Sequence, residues 1–98
     1  MTKFAIKTQD GRYIKMAADA VEANEQQLAE HGTIHIGGVL AKTAYNYKTE
    51  AQAKRALALI NEYVRVNTRT EAERKAMAKD WRYTKYVDAQ AGCYIETL

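Results

Sequence analysis

Ninety-eight residues with a mass of 11.1 kDa allow one domain at most, spanning 1–98. Hydrophobic residues make up 47% and charged residues 28%, which is the balance of an ordinary globule and excludes a disordered, collagenous or disulfide-scaffolded chain. Fifteen Lys and Arg against twelve Asp and Glu leave a net charge of +3, and the one cysteine, Cys93, has no partner within the chain, as expected of a reducing, cytoplasmic compartment.

Phe4 and Ile6 alternate with Lys3, Ala5 and Lys7, so a strand is expected over 3–8 with one buried and one basic face. Asp10-Gly11 suits a tight turn with positive φ at both central positions, and Tyr13, Ile14 and Met16 resume the extended pattern as a hairpin partner. Asp19 with Glu22 three residues on marks a helix start, and Gly32 marks its stop, giving a helix over 20–31 with the thin apolar stripe Ala20, Val21, Leu28 and Ala29. Thr33-Ile34-His35-Ile36 alternates, Gly37-Gly38 interrupts, and Val39 to Tyr47 reads as a longer extended run, together a second hairpin.

Thr49 offers a cap to a helix whose apolar positions Ala53, Leu57, Ile60 and Val64 recur at helical spacing, with Lys54, Arg55, Glu62 and Arg65 on the other side. It ends near Val66-Asn67. Thr70 and Glu73 form a capping box for a shorter helix through Ala76 and Met77 to Asp80 or Trp81. Tyr83, Lys85 and Val87 then alternate with Arg82, Thr84 and Tyr86, a turn falls at Gln90-Ala91-Gly92, and Cys93 to Thr97 closes a third hairpin. The expected fold is α+β: an antiparallel sheet made of hairpins with two or three helices packed on one face. The longest clean apolar run, Ala56 to Ile60, is far short of the ~20 residues that span a bilayer, and Met1 to Lys7 returns to charge too soon for a secretory signal.

The opening Phe4-Ala5-Ile6-Lys7 to Asp10-Gly11-Arg12-Tyr13-Ile14-Lys15, together with Ala44-Tyr45-Asn46-Tyr47-Lys48-Thr49 and the alanine-rich helix behind it, resembles small proteins encoded by bacteriophages and prophages. In these a short hairpin precedes a strand that runs through Thr or Ser into a helix. The resemblance implies an accessory protein, such as an anti-CRISPR-like inhibitor of host defence, that acts by binding a larger machine. It carries no catalytic residues. Many such inhibitors mimic nucleic acid with an acidic surface, and the net positive charge of this chain departs from that pattern.

Charge is unevenly laid out. Between residues 17 and 41 there is no Lys or Arg, while Asp19, Glu22, Glu25 and Glu30 are acidic. From Arg65 to Lys85 the cations Arg65, Arg69, Arg74, Lys75, Lys79, Arg82 and Lys85 outnumber Glu71, Glu73 and Asp80, with Trp81, Tyr83 and Tyr86 interleaved. Cations beside aromatic rings suit phosphates and stacked bases, although a solvated helix face and core aromatics give the same pattern. The expected contact surface is Arg69, Arg74, Lys75, Lys79, Trp81, Arg82 and Tyr83. Through it the chain would act as a non-catalytic binding module on a larger host or viral protein complex with an acidic patch, or bind DNA or RNA directly. Complementarity of the acidic and basic segments leaves a homodimer open, as it does pairing within one copy.

Chemistry has little to build on. His31 and His35 are split by Gly32 between a helix end and a strand, so their spacing is not that of a metal pair, and Cys93 with His35 and Asp88 would need an adjacency that nothing in the sequence supplies. Gly37-Gly38 lacks the Lys-Ser or Lys-Thr of a phosphate loop. Tyr45 and Tyr47 share one strand parity and would form a stacking platform if exposed, with core packing as the ordinary alternative. The expectation is no enzyme, no metal and no cofactor.

Overall fold

The computed structural model describes residues 2–32, 34, 38–68, 70, 72–73 and 81–98, with 81–84 described for their backbone alone. Its elements are β1 (Phe4–Lys7), β2 (Tyr13–Lys15), α1 (Ala18–His31), β3 (Val39–Ala41), α2 (Glu50–Asn67), α3 (Trp81–Gln90) and β4 (Tyr94–Thr97). The strands form one antiparallel sheet in the order β3-β2-β1-β4. This is the expected α+β class, but only β1 and β2 form a hairpin. The other pairings bring together strands separated by helices.

The β1–β2 turn is longer than a two-residue one. The Gly11 amide donates to the Thr8 carbonyl at 3.1 Å, and Gly11 alone has positive φ, at 88°. Asp10 anchors the turn by accepting from Arg12 Nε at 2.9 Å and Nη2 at 2.6 Å and from the Thr8 hydroxyl. The Arg12 guanidinium, and then Thr8, hold the Asp10 carboxyl well below the usual carboxylate range.

α1 begins at Ala18, two residues ahead of the expected start. No side chain caps it, and Asp19 instead accepts from the Ala20 amide at 2.9 Å. It stops at Gly32 as expected, where φ is 70° and the amide reaches the Leu28 carbonyl at 2.8 Å. The Thr49 hydroxyl caps α2 by accepting from the Gln52 amide at 3.2 Å. The buried stripe of α2 is Ala53, Ala56, Leu59, Ile60 and Tyr63, rotated from the expected one, so that Leu57 and Val64 are only partly buried. α2 lies against β1, β4 and both other helices. Arg55 ties it to α1 through Glu25.

The second hairpin differs from expectation. Thr33, His35, Ile36 and Gly37 lie outside the described residues, and the run from Val39 extends only to Ala41, pairing with β2. Tyr47 forms an isolated bridge with Phe4, and its hydroxyl accepts from the Met16 amide at 3.1 Å and donates to the Met16 carbonyl at 3.2 Å. The expected third hairpin is a helix followed by a strand: residues 82–87 belong to α3, and β4 pairs with β1 instead. The Thr70–Glu73 capping box forms, with the Glu73 amide donating to Thr70 Oγ1 at 3.2 Å. The helix it was expected to open, through Ala76 and Met77, lies outside the described residues.

Side-chain alternation divides the sheet. Phe4, Ile6, Ile14, Leu40 and Ile95 join the core with residues from α1, α2 and α3. The opposite parity, including Lys7, Tyr13, Lys15, Val39, Tyr94 and Glu96, is absent from that core and faces away from the helices. Among the described residues no helix is long and apolar enough to cross a membrane.

Candidate functional site

Of the expected contact residues, Arg69, Arg74, Lys75 and Lys79 lie outside the described residues. Trp81, Arg82 and Tyr83 take successive positions at the start of α3, where Trp81 was expected to close a helix and Arg82 and Tyr83 to lie in a strand. Arg65, the first cation of the basic run, is matched within α2 by Glu62, and Glu25 of the acidic segment by Arg55.

The described surface with the most recognition chemistry is the outer face of the sheet. Lys7 of β1 is the direct cross-strand partner of Tyr13 on β2 and of Tyr94 on β4, and Tyr13 in turn faces Ala41 on β3. A single row across all four strands therefore reads Ala41, Tyr13, Lys7, Tyr94. Lys7 Nζ lies 5.6 Å from the Tyr13 ring centroid and 3.3 Å from Glu96 Oε2, and the Tyr13 hydroxyl donates to Glu96 Oε1 at 3.2 Å. Glu96 thus holds both the cation and the ring, and its hydrogen bond and charge raise the Lys7 pKa. Along β2, Lys15 is exposed and sits 5.5 Å from the Tyr45 ring centroid. Tyr94 is 43% exposed and Val39 63% exposed, while Lys7, Tyr13 and Ala41 are half-buried and Ala5, of the same parity as Lys7, is fully buried. Exposed Lys3 continues the parity of Ala5 and Lys7.

The other candidates are placed differently. Tyr45 and Tyr47 do not form an open platform: Tyr47 is in the core and the two rings meet edge-on at 5.0 Å. Between α1 and α2, Met16, Val21, Tyr45, Lys48, Gln52 and Arg55 line a cleft of about 240 Å³. Gly38 does not sit in a turn but leads into β3, its amide donating to Gln90 Oε1 at 3.2 Å and its carbonyl accepting from the Tyr86 hydroxyl. His31 is exposed at the end of α1, and His35 lies outside the described residues. Among the described residues no group of three or more His, Cys, Asp or Glu is arranged to hold a metal ion.

Cys93 is 8% exposed, its Sγ is 3.8 Å from Asn61 Oδ1, and burial pushes its thiol up to about 11. Only a small fraction is then thiolate near neutrality, which is the opposite of an activated nucleophile. Alkylation by iodoacetamide at pH 8 is expected to be at least about tenfold slower in the folded protein than in urea, because the free thiol titrates near 8.5. Equal rates would show an accessible, ionised sulfur.

No protein-family model, curated protein or solved structure matches this chain.

Proposed function

We propose that this protein is a non-catalytic binding module that docks on a larger host or viral assembly, protein or nucleoprotein, through a basic and aromatic surface. It would work in the cytoplasm as a phage-type accessory protein or inhibitor of host defence. The observation that carries the reading is the Tyr13–Lys7–Tyr94 row on the sheet face opposite α1, α2 and α3. Rings with few rotatable bonds serve as anchors, and cations steer the approach of an acidic partner. The basic segment of Arg69, Arg74, Lys75, Lys79, Trp81, Arg82 and Tyr83 is a second candidate contact, proposed from the charge of the sequence. The buried, protonated Cys93 speaks against a cysteine nucleophile.

The test is capture from a bacterial lysate by the tagged protein and by the variant Lys7→Gln/Tyr13→Ser/Tyr94→Ser, with circular dichroism confirming that both are folded. A defined assembly retained by the wild type and lost by the variant is the expected result. Retention of nothing specific, or of the same material by both, would refute the reading.

A further inference from the structure

Resting on that reading, we infer that the occupant of the outer sheet face is a single-stranded nucleic acid, with bases stacked on Tyr13 and Tyr94 and phosphates drawn to Lys3, Lys7 and Lys15. Tyr13 and Tyr94 are both cross-strand partners of Lys7, so their backbones stand two strand spacings apart, about 10 Å, and the Tyr13 side chain leans across β1 to reach Glu96 on β4. Bases stacked within a duplex rise only about 3.4 Å per step and hide their faces against one another. A ring on the sheet can receive a base only from a strand whose bases are unstacked, and any base offers the π-face that such stacking needs.

The surroundings of the rings fit the same occupant. Tyr13 is half-buried, with Lys7 over its ring and the small Ala41 as its partner on β3. Tyr94 is open. Its hydrogen bond to Glu96 fixes Tyr13 in place, so little side-chain freedom remains to be lost on stacking.

Charge then separates nucleic acid from a protein partner. Lys7 lies at the centre of the row, between the rings, where a protein partner would bury it, and lysine is depleted from the centres of protein interfaces. A phosphate backbone instead compensates the cation. Glu96 already engages Lys7, while Lys3 and Lys15 make no ion pair among the described residues, so the face keeps a positive surplus.

The experiment is fluorescence anisotropy with three fluorescein-labelled probes: a 15-nucleotide dT strand, a 15-nucleotide rU strand and a mixed-sequence 15-base-pair DNA duplex. At least one single strand is expected to bind ten or more times tighter than the duplex, and the two strands distinguish DNA from RNA. Three phosphate contacts predict a roughly 20-fold loss of affinity between 50 and 200 mM salt. Tyr13→Ser and Tyr94→Ser should each weaken binding by about 5- to 100-fold. Tyr94→Phe, which keeps the ring, should bind within about threefold of the wild type, and thermal melts confirm that each variant is folded. Duplex bound as tightly as either strand, no binding at 50 mM salt, or affinity unchanged in folded Tyr13→Ser and Tyr94→Ser overturns the inference. The docking reading fails separately. Lysate material that survives nuclease treatment and still needs Tyr94 would keep that reading while removing nucleic acid as the occupant.

Discussion

Tyr63→Ala is expected to remove about 3–5 kcal/mol of stability, the range for deleting a large aromatic side chain from a packed core. Tyr63 is 1% exposed on the buried stripe of α2, and its ring meets that of Tyr86 on α3 edge-to-face, with centroids 6.1 Å apart and planes at 75°. Truncation leaves a void between two helices and removes the aromatic pair, which is worth about 0.5–1.5 kcal/mol beyond area burial. Since domains of this size hold about 5–15 kcal/mol in total, the variant would be marginal, with a melting temperature lower by about 12 °C or more. Urea titration followed by circular dichroism gives the number directly. A loss under about 1.5 kcal/mol would mean that the helix pair does not depend on this ring.

Gly38→Ala is expected to lose about 3–5 kcal/mol, from overpacking at about 1–3 kcal/mol and from about 1 kcal/mol for each of two strained hydrogen bonds. A Cβ at Gly38 would lie 2.1 Å from Ile14 Cγ2 and 3.1 Å from the Lys15 carbonyl oxygen. Ile14 is fully buried in the core and cannot swing aside without a second clash. Moving the Gly38 backbone instead strains its bonds to Gln90 and Tyr86, which fasten the start of β3 to α3. Gly32→Ala is the contrast. Its φ of 70° strains any L side chain, but nothing lies within 4 Å of the added methyl, so about 1 kcal/mol is expected. If the two variants melted together, the crowding at Gly38 would be refuted.

The elements legible in the sequence are those with a local signal. The Asp10-Gly11 turn, the glycine stop at Gly32 and the Thr49 cap are each decided within a few residues, and each stands where it was expected. α3 was misread because its aromatic and β-branched residues (Trp81, Tyr83, Thr84, Tyr86 and Val87) favour strand locally. Packing against α2 overrides that preference. The telling residue is Gln90, which is fully buried, donates to the Tyr86 carbonyl one turn back and accepts from Gly38. A scan for apolar spacing passes over a polar residue in a buried position. The outward strand position of Lys7 was legible from alternation, but that of Tyr13 and their alignment with Tyr94 were not. That alignment requires β4 to lie beside β1, a pairing between the two ends of the sequence with no local signature. The basic segment from Arg69 to Lys79 remains as the sequence describes it, a concentration of charge.

The same pairing has a kinetic side. Phe4 meets Thr97, and Lys7 meets Tyr94, only after the long stretch between them has been synthesised and collapsed. Contacts of such long sequence separation form late and slow folding toward the millisecond-to-second range. The three-residue row is therefore a product of the last stage of assembly. A nascent or proteolytically clipped chain would carry its lysines and tyrosines without the alignment, and recognition would rise and fall with global folding as one cooperative event.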